Sequence, residues 1–180
     1  MRHMPAAVLA TLSILSASAA QAAPAGLYGK TVKVEWTETR SQREAGETAF
    51  GPKSFPFTYT VYVSTEGQLF RRIFTISSTR KKSGTRDAVG ASGKTDAGSS
   101  QVSFQGNTLV AASSSGGIGR RIRVSFDASF SSCTAEVLTG KTGAGPTSMR
   151  AIASGKVVEI ESVSAGSASC SIQTGNAFAE

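Results

Sequence analysis

The chain has 180 residues, a formal net charge of +7, 39% hydrophobic residues, 19 glycines, two cysteines and one histidine. That is enough for one domain with a real core, in a composition that suits turns and short strands better than long helices. The single histidine, His3, lies in a segment expected to be removed. The rest of the chain then lacks the imidazole of a Ser-His-Asp or Cys-His pair and has no histidine to hold a metal.

The N-terminus reads Met1-Arg2-His3-Met4, then an apolar and small-residue run from Ala6 to Ala20, then Ala20-Gln21-Ala22-Ala23. A short basic start, a short apolar stretch and an Ala-x-Ala cleavage pattern identify residues 1–22 as a signal peptide, expected as a cleavable helix. Residues 23–180 follow as one exported domain, periplasmic or secreted. No other stretch approaches the roughly 20 apolar residues of a membrane helix, so no transmembrane span is expected in the mature chain.

Val32, Val34 and Trp36 alternate with Lys33, Glu35 and Thr37, which predicts a strand over 30–39 with Trp36 as a core anchor. The polar run from Arg40 to Lys53, with Gly46 and Gly51-Pro52, reads as a loop. Phe55, Phe57, Tyr59, Val61 and Val63 share one face of a second strand, with Pro56 placing its start at a sheet edge or end. Glu66-Gly67 supplies a hairpin turn, and Leu69 to Ser77 returns. Two registers compete for that return strand, and a one-residue slip moves Arg71 and Arg72 between faces.

Periodicity is lost from Ser78 to Ser100, which contains Arg80, Lys81, Lys82 and Arg86 before a Gly/Ala/Ser-rich run. The spacing predicts a long flexible basic loop. Val102 and Phe104 start a hairpin turning at Gly106-Asn107 into 108–111, and Ser113–Gly117 forms a flexible turn. Ile122, Val124 and Phe126 then face inward, against Arg121, Arg123 and Ser125. The parity changes to Cys133, Ala135 and Val137, so a turn or bulge falls near 127–132. After a Gly-rich connection over 141–147, strands are expected at 157–163 and 168–174, with a turn at Ala165-Gly166.

The fold expected is all-β: an antiparallel meander forming a small sandwich or barrel of about 8–10 short strands. Cys133 and Cys170, an even pair in an exported chain, are expected to form a disulfide. It would close a loop of about 38 residues and contribute about 4 kcal/mol by the chain-entropy relation.

Motifs for catalysis are weak. Ala88–Thr95 and Ala135–Thr142 resemble a phosphate-binding loop only in part, because each lacks the first glycine and a following helix, so no nucleotide is expected. Glu35, Glu159 and Glu161 alternate with apolar residues and read as a solvated face rather than paired acid–base groups. Neither cofactor nor metal site is indicated. Charge is more informative. Arg71, Arg72, Arg80, Lys81, Lys82, Arg86, Arg120, Arg121 and Arg123 lie in the middle third, a candidate basic surface for an anionic or protein partner. Acidic polysaccharide, anionic lipid headgroups or a protein are the partner classes it suits. The expectation is therefore a non-enzymatic exported binding domain. The alternatives are an inhibitor or accessory of an extracytoplasmic enzyme, presenting the 78–100 loop, and a carboxylate-based hydrolase.

Overall fold

The computed structural model describes residues 22–75, 87–89, 100–151 and 155–178, so residues 1–21 of the expected signal peptide and most of 78–100 lie outside it. Among the described residues there are eleven strands and one short 3-10 turn, Ala25–Leu27. The strands are β1 (Lys30–Glu44), β2 (Gly51–Val63), β3 (Leu69–Thr75), β4 (Asp87–Val89), β5 (Ser100–Gln105) and β6 (Thr108–Ser115). They continue as β7 (Ile118–Phe126), β8 (Cys133–Lys141), β9 (Thr147–Arg150), β10 (Val157–Ala165) and β11 (Ser169–Thr174).

The strands form two antiparallel sheets. The first runs β4-β3-β2-β1-β10-β9, with β11 also paired to β1, and curls into a half-barrel. The second is the meander β5-β6-β7-β8. The all-β expectation holds, with strands longer and more numerous than expected. β1 is long enough to take two partners along one edge: Lys30–Glu35 pairs β11, and Glu38–Glu44 pairs β10. The register with β10 shifts between Ser41 and Gln42, where one extra β10 residue, Glu161, is accommodated as a bulge.

Turn chemistry follows the glycines. Gly67 adopts φ +81 between β2 and β3, where the Ser64 N–H donates to Gln68 O at 2.8 Å. Gly116 and Gly117, at φ +56 and +72, make the β6–β7 link a tight two-residue turn rather than a flexible one. A Cβ on Gly117 would lie 1.9 Å from Thr147 Oγ1, so this turn is packed against β9 and only glycine fits.

Three sequence expectations need correction. The Arg40–Lys53 segment is mostly strand, as β1 runs to Glu44 and β2 starts at Gly51. Within the expected 78–100 loop, residues 87–89 form β4, paired to β3. Thr147–Arg150 forms β9 on the edge of β10, although the expected connection ran to Thr147 and no strand was expected before Val157. Pro56 lies within strand β2 opposite Thr37 of β1, one residue past the described end of the pairing with β3 at Phe57↔Thr75.

The inner faces of the two sheets make the core. Val32, Val34, Trp36, Phe57, Tyr59, Val61 and Val63 meet Val102, Phe104, Leu109, Ile122, Val124 and Phe126. Trp36 stacks on Phe57 at 5.3 Å and 12°, the anchoring role its strand position implied. Burial of each large apolar side chain contributes roughly 1.5–3 kcal/mol before the entropy of ordering is set against it. Cys133 of β8 and Cys170 of β11 form the disulfide, with Cα atoms 5.7 Å apart, and tie the second sheet to the first.

The chain after β11 folds over the outside of the first sheet. Thr31 Oγ1 donates to Gly175 O at 2.6 Å and accepts the Ala177 N–H at 3.2 Å, while Arg72 lies over the Phe178 ring at 5.0 Å.

Candidate functional site: a buried ionic cluster and an outward arginine face

Alternation decides the fate of every arginine here. On β1, the positions 32, 34 and 36 that carry Val32, Val34 and Trp36 continue inward to Glu38 and Arg40. On β7, the inward set Ile118, Ile122, Val124 and Phe126 includes position 120 as well. The two strands belong to different sheets, so Glu38, Arg40 and Arg120 meet in the interior. They are 0%, 7% and 8% exposed.

Glu38 is the hub. Its Oε1 accepts Arg40 Nε at 2.7 Å and Arg120 Nη2 at 2.9 Å and pairs with Arg40 Nη2 at 2.7 Å, and its Oε2 accepts Arg120 Nε at 2.8 Å. The guanidinium faces rest on aromatic rings: Arg40 on Phe55 at 4.5 Å, Arg120 on Phe57 at 4.8 Å. Burial pushes the Arg40 guanidinium below its usual range, Glu38 opposes that shift, and the Arg120 charge adds to the lowering. Arginine nonetheless stays charged at neutral pH. The cluster interrupts the apolar interior: Ile118, beyond Arg120 on β7, and Val158 and Ile160, on β10 opposite Glu44 and Gln42, are buried outside the main core.

The described members of the expected basic surface fall on different faces of the two sheets. Arg120 is sequestered by Glu38. Arg71 sits opposite Val61 on the inner face of the first sheet, 4% exposed. It lies near Tyr59, whose phenol is driven up by burial, an effect the Arg71 charge partly counters. Arg72 projects from the opposite face of β3, against Phe178. Only Arg121 and Arg123 stand exposed together, on the outer face of β7. Arg80, Lys81, Lys82 and Arg86 lie outside the described residues.

Around Arg121 and Arg123 the outer face mixes polar and apolar side chains. Ala112 and Leu138 flank Arg121, and Val110 and Glu136 flank Arg123. Gln101, Ser103, Thr108, Ser125 and Thr134 share the same face by register. Leu138, 57% exposed, is the large apolar side chain on it.

The carboxylates considered for acid–base work are each engaged. Lys33 pairs with Glu35 at 2.8 Å, Ser41 donates to Glu161 at 2.9 Å, and Arg43 pairs with Glu159 at 2.6 Å. A shallow crevice of about 330 Å³ at the β1–β2 turn includes Glu44, Glu47 and Glu159. There Glu44 is held by Lys156 at 2.7 Å, and Glu47 accepts the Glu44 N–H at 2.8 Å. Among the described residues, no group of His, Cys, Asp and Glu side chains is placed to hold a metal ion, and no helix is long and apolar enough to cross a membrane.

The β7–β8 turn is built by Asp127, which accepts hydrogen bonds from the Ser129 and Ser131 hydroxyls and from the backbone N–H groups of Ser131 and Ser132. These bonds, Ser129 first, hold its carboxyl well below the usual range. Phe130, at φ +53, turns its ring onto Phe126 at 5.6 Å, and its carbonyl accepts Lys30 Nζ at 3.1 Å.

Sequence reasoning missed Glu38 and Arg40. The signal was present: both continue the even-numbered face of β1. Comparison with protein-family models, with curated proteins and with solved structures finds no match to this chain.

Proposed function

We propose that this chain is an exported, non-catalytic β-domain that binds an acidic polysaccharide across the outer face of its second sheet, with Arg121 and Arg123 as the charged contacts. The observation that carries this reading is the exposure of these two arginines side by side on a β-face that also carries hydroxyl and amide groups. Residues two apart on a strand stand about 7 Å from one another on the same face, so two cations are presented in a fixed row. The chain's net charge of +7 adds long-range attraction for a polyanion.

Face chemistry favours sugar over lipid. A surface that lies in a bilayer interface buries a substantial apolar area, and here Leu138 is the large apolar group exposed among Ser, Thr, Gln, Arg and Glu136, with Val110 half-buried. Engagement of the surface carboxylates in their own ion pairs and hydrogen bonds supports a binding rather than a hydrolytic role.

The test is binding of the purified protein to a polyuronate, a neutral glucan and anionic vesicles across a salt series. Polyuronate binding is expected to weaken with salt and to fall about tenfold or more in the double variant Arg121→Glu/Arg123→Glu. Affinity indifferent to ionic strength, or unchanged in that variant, overturns the proposal. Binding to vesicles without binding to polyuronate overturns its sugar component.

A further inference from the structure

We infer that Arg40 and Arg120, gathered on Glu38, form a binding site for a small monovalent anion of the halide or carboxylate class. This site is separate from the outer face proposed above and does not rest on that reading, because Arg120 and Arg121 point to opposite sides of β7.

Charge arithmetic comes first. Two guanidiniums and one carboxylate sum to +1, in side chains that are almost wholly buried. A buried uncompensated charge is costly, and the usual remedy is a counter-charge with hydrogen bonds. Along the same rungs, the charged residue opposite Arg40 is Lys53 and the one opposite Ile118 is Lys141, both cationic. Neither can neutralise the excess.

Donor arithmetic points the same way. A carboxylate has about four lone-pair positions, and Glu38 already accepts three N–H bonds and holds Arg40 Nη2 in an ion pair on Oε1. Each guanidinium carries five in-plane donors. Arg40 Nη1 reaches only the Met149 thioether at 3.5 Å, a weak acceptor. Among the described residues, Arg120 Nη1 donates to no protein acceptor. The Phe55 and Phe57 rings stabilise the guanidinium faces but cannot accept the in-plane N–H groups. The remaining donors belong to fully ionised side chains held by Glu38, so they need little ordering to receive an anion.

Met149 gives the decisive variant. Its sulfur lies beside Arg40 Nη1 on the edge strand β9, and Met149→Glu places a carboxylate there at similar side-chain length. The experiment follows the melting temperature of the purified protein as gluconate is replaced by chloride, or by acetate, at fixed ionic strength. Chloride-35 linewidth gives a direct second readout. A saturating rise of about 3 °C or more in chloride or acetate is expected, and whichever anion produces it names the class. Met149→Glu is expected to erase the response, and Met149→Leu to keep it. The inference is overturned by no saturable difference between the anions, or by a response and linewidth that survive Met149→Glu undiminished.

Discussion

The two sheets are fastened at two levels by different chemistry. At one level Cys133 and Cys170 are covalently joined, beside the Phe126 and Val34 rungs. At the other, roughly 20 Å further along β7, Arg120 reaches across to Glu38. The disulfide acts chiefly on the unfolded chain, by shortening the loop it must close, and is indifferent to salt and to neighbouring charge. The ionic fastening acts in the folded state, and its cost and strength both depend on exclusion of water. A covalent tie tolerates imperfect surroundings, whereas a buried charge cluster does not. Hence the ionic level is wrapped by aromatic faces and by the turn at Gly116-Gly117.

Breaking the ionic level by one partner should have the largest effect. Glu38→Leu leaves two buried guanidiniums facing one another and is expected to destabilise by about 3–5 kcal/mol, measured by urea unfolding. Replacing all three residues with Leu, Met and Met should restore most of that loss. If the triple variant is as unstable as the single one, the cluster does more than satisfy its own charges. Next comes the covalent level: Cys133→Ser/Cys170→Ser, or reduction, should cost about 4 kcal/mol, with no added salt dependence.

A smaller effect lies at Tyr59, on the Val34 rung of the disulfide level. Burial raises its phenol above the usual range, and its Oη has no hydrogen-bond partner among the described residues. A raised folded-state value means the unfolded chain loses this proton first. Stability is therefore unaffected below about pH 10 and declines as pH climbs from there toward the folded value. Tyr59→Phe should remove that alkaline decline and leave neutral-pH stability unchanged or higher by about 1 kcal/mol. A pH series of thermal melts on both proteins measures it. A variant markedly less stable at neutral pH would show that the hydroxyl is satisfied after all.

Much of this joint was legible in the sequence, and the reason it was only partly read is physical. The disulfide followed from an even cysteine pair, and the Glu66-Gly67 and Gly106-Asn107 turns from glycine's access to positive φ. The inward faces of β2 and β7 followed from strict alternation of apolar residues. The ionic level was hidden because hydrophobicity is the usual sign of burial. Once Glu38 and Arg40 replace Val and Trp on the inward face, strand β1 looks like the start of a loop. Arg120 was counted with Arg121 as surface charge, although parity with Ile122 and Val124 already turned it inward. β9 carries too short and mixed a pattern, Thr-Ser-Met-Arg, to be recognised without its partner β10.

The double pairing of β1 also bears on how the chain reaches this state. Its β2 partner lies close by in sequence, but Lys30 pairs with Thr174 and Glu38 with Ala165. Until residues beyond 165 are present, β1 has one edge without its partners, and the first sheet is incomplete. Such long-range closure is slow, because the entropy of a long loop is lost before any pairing offsets it. A chain built this way keeps its first sheet unfinished until the residues of β10 and β11 are available to pair with β1.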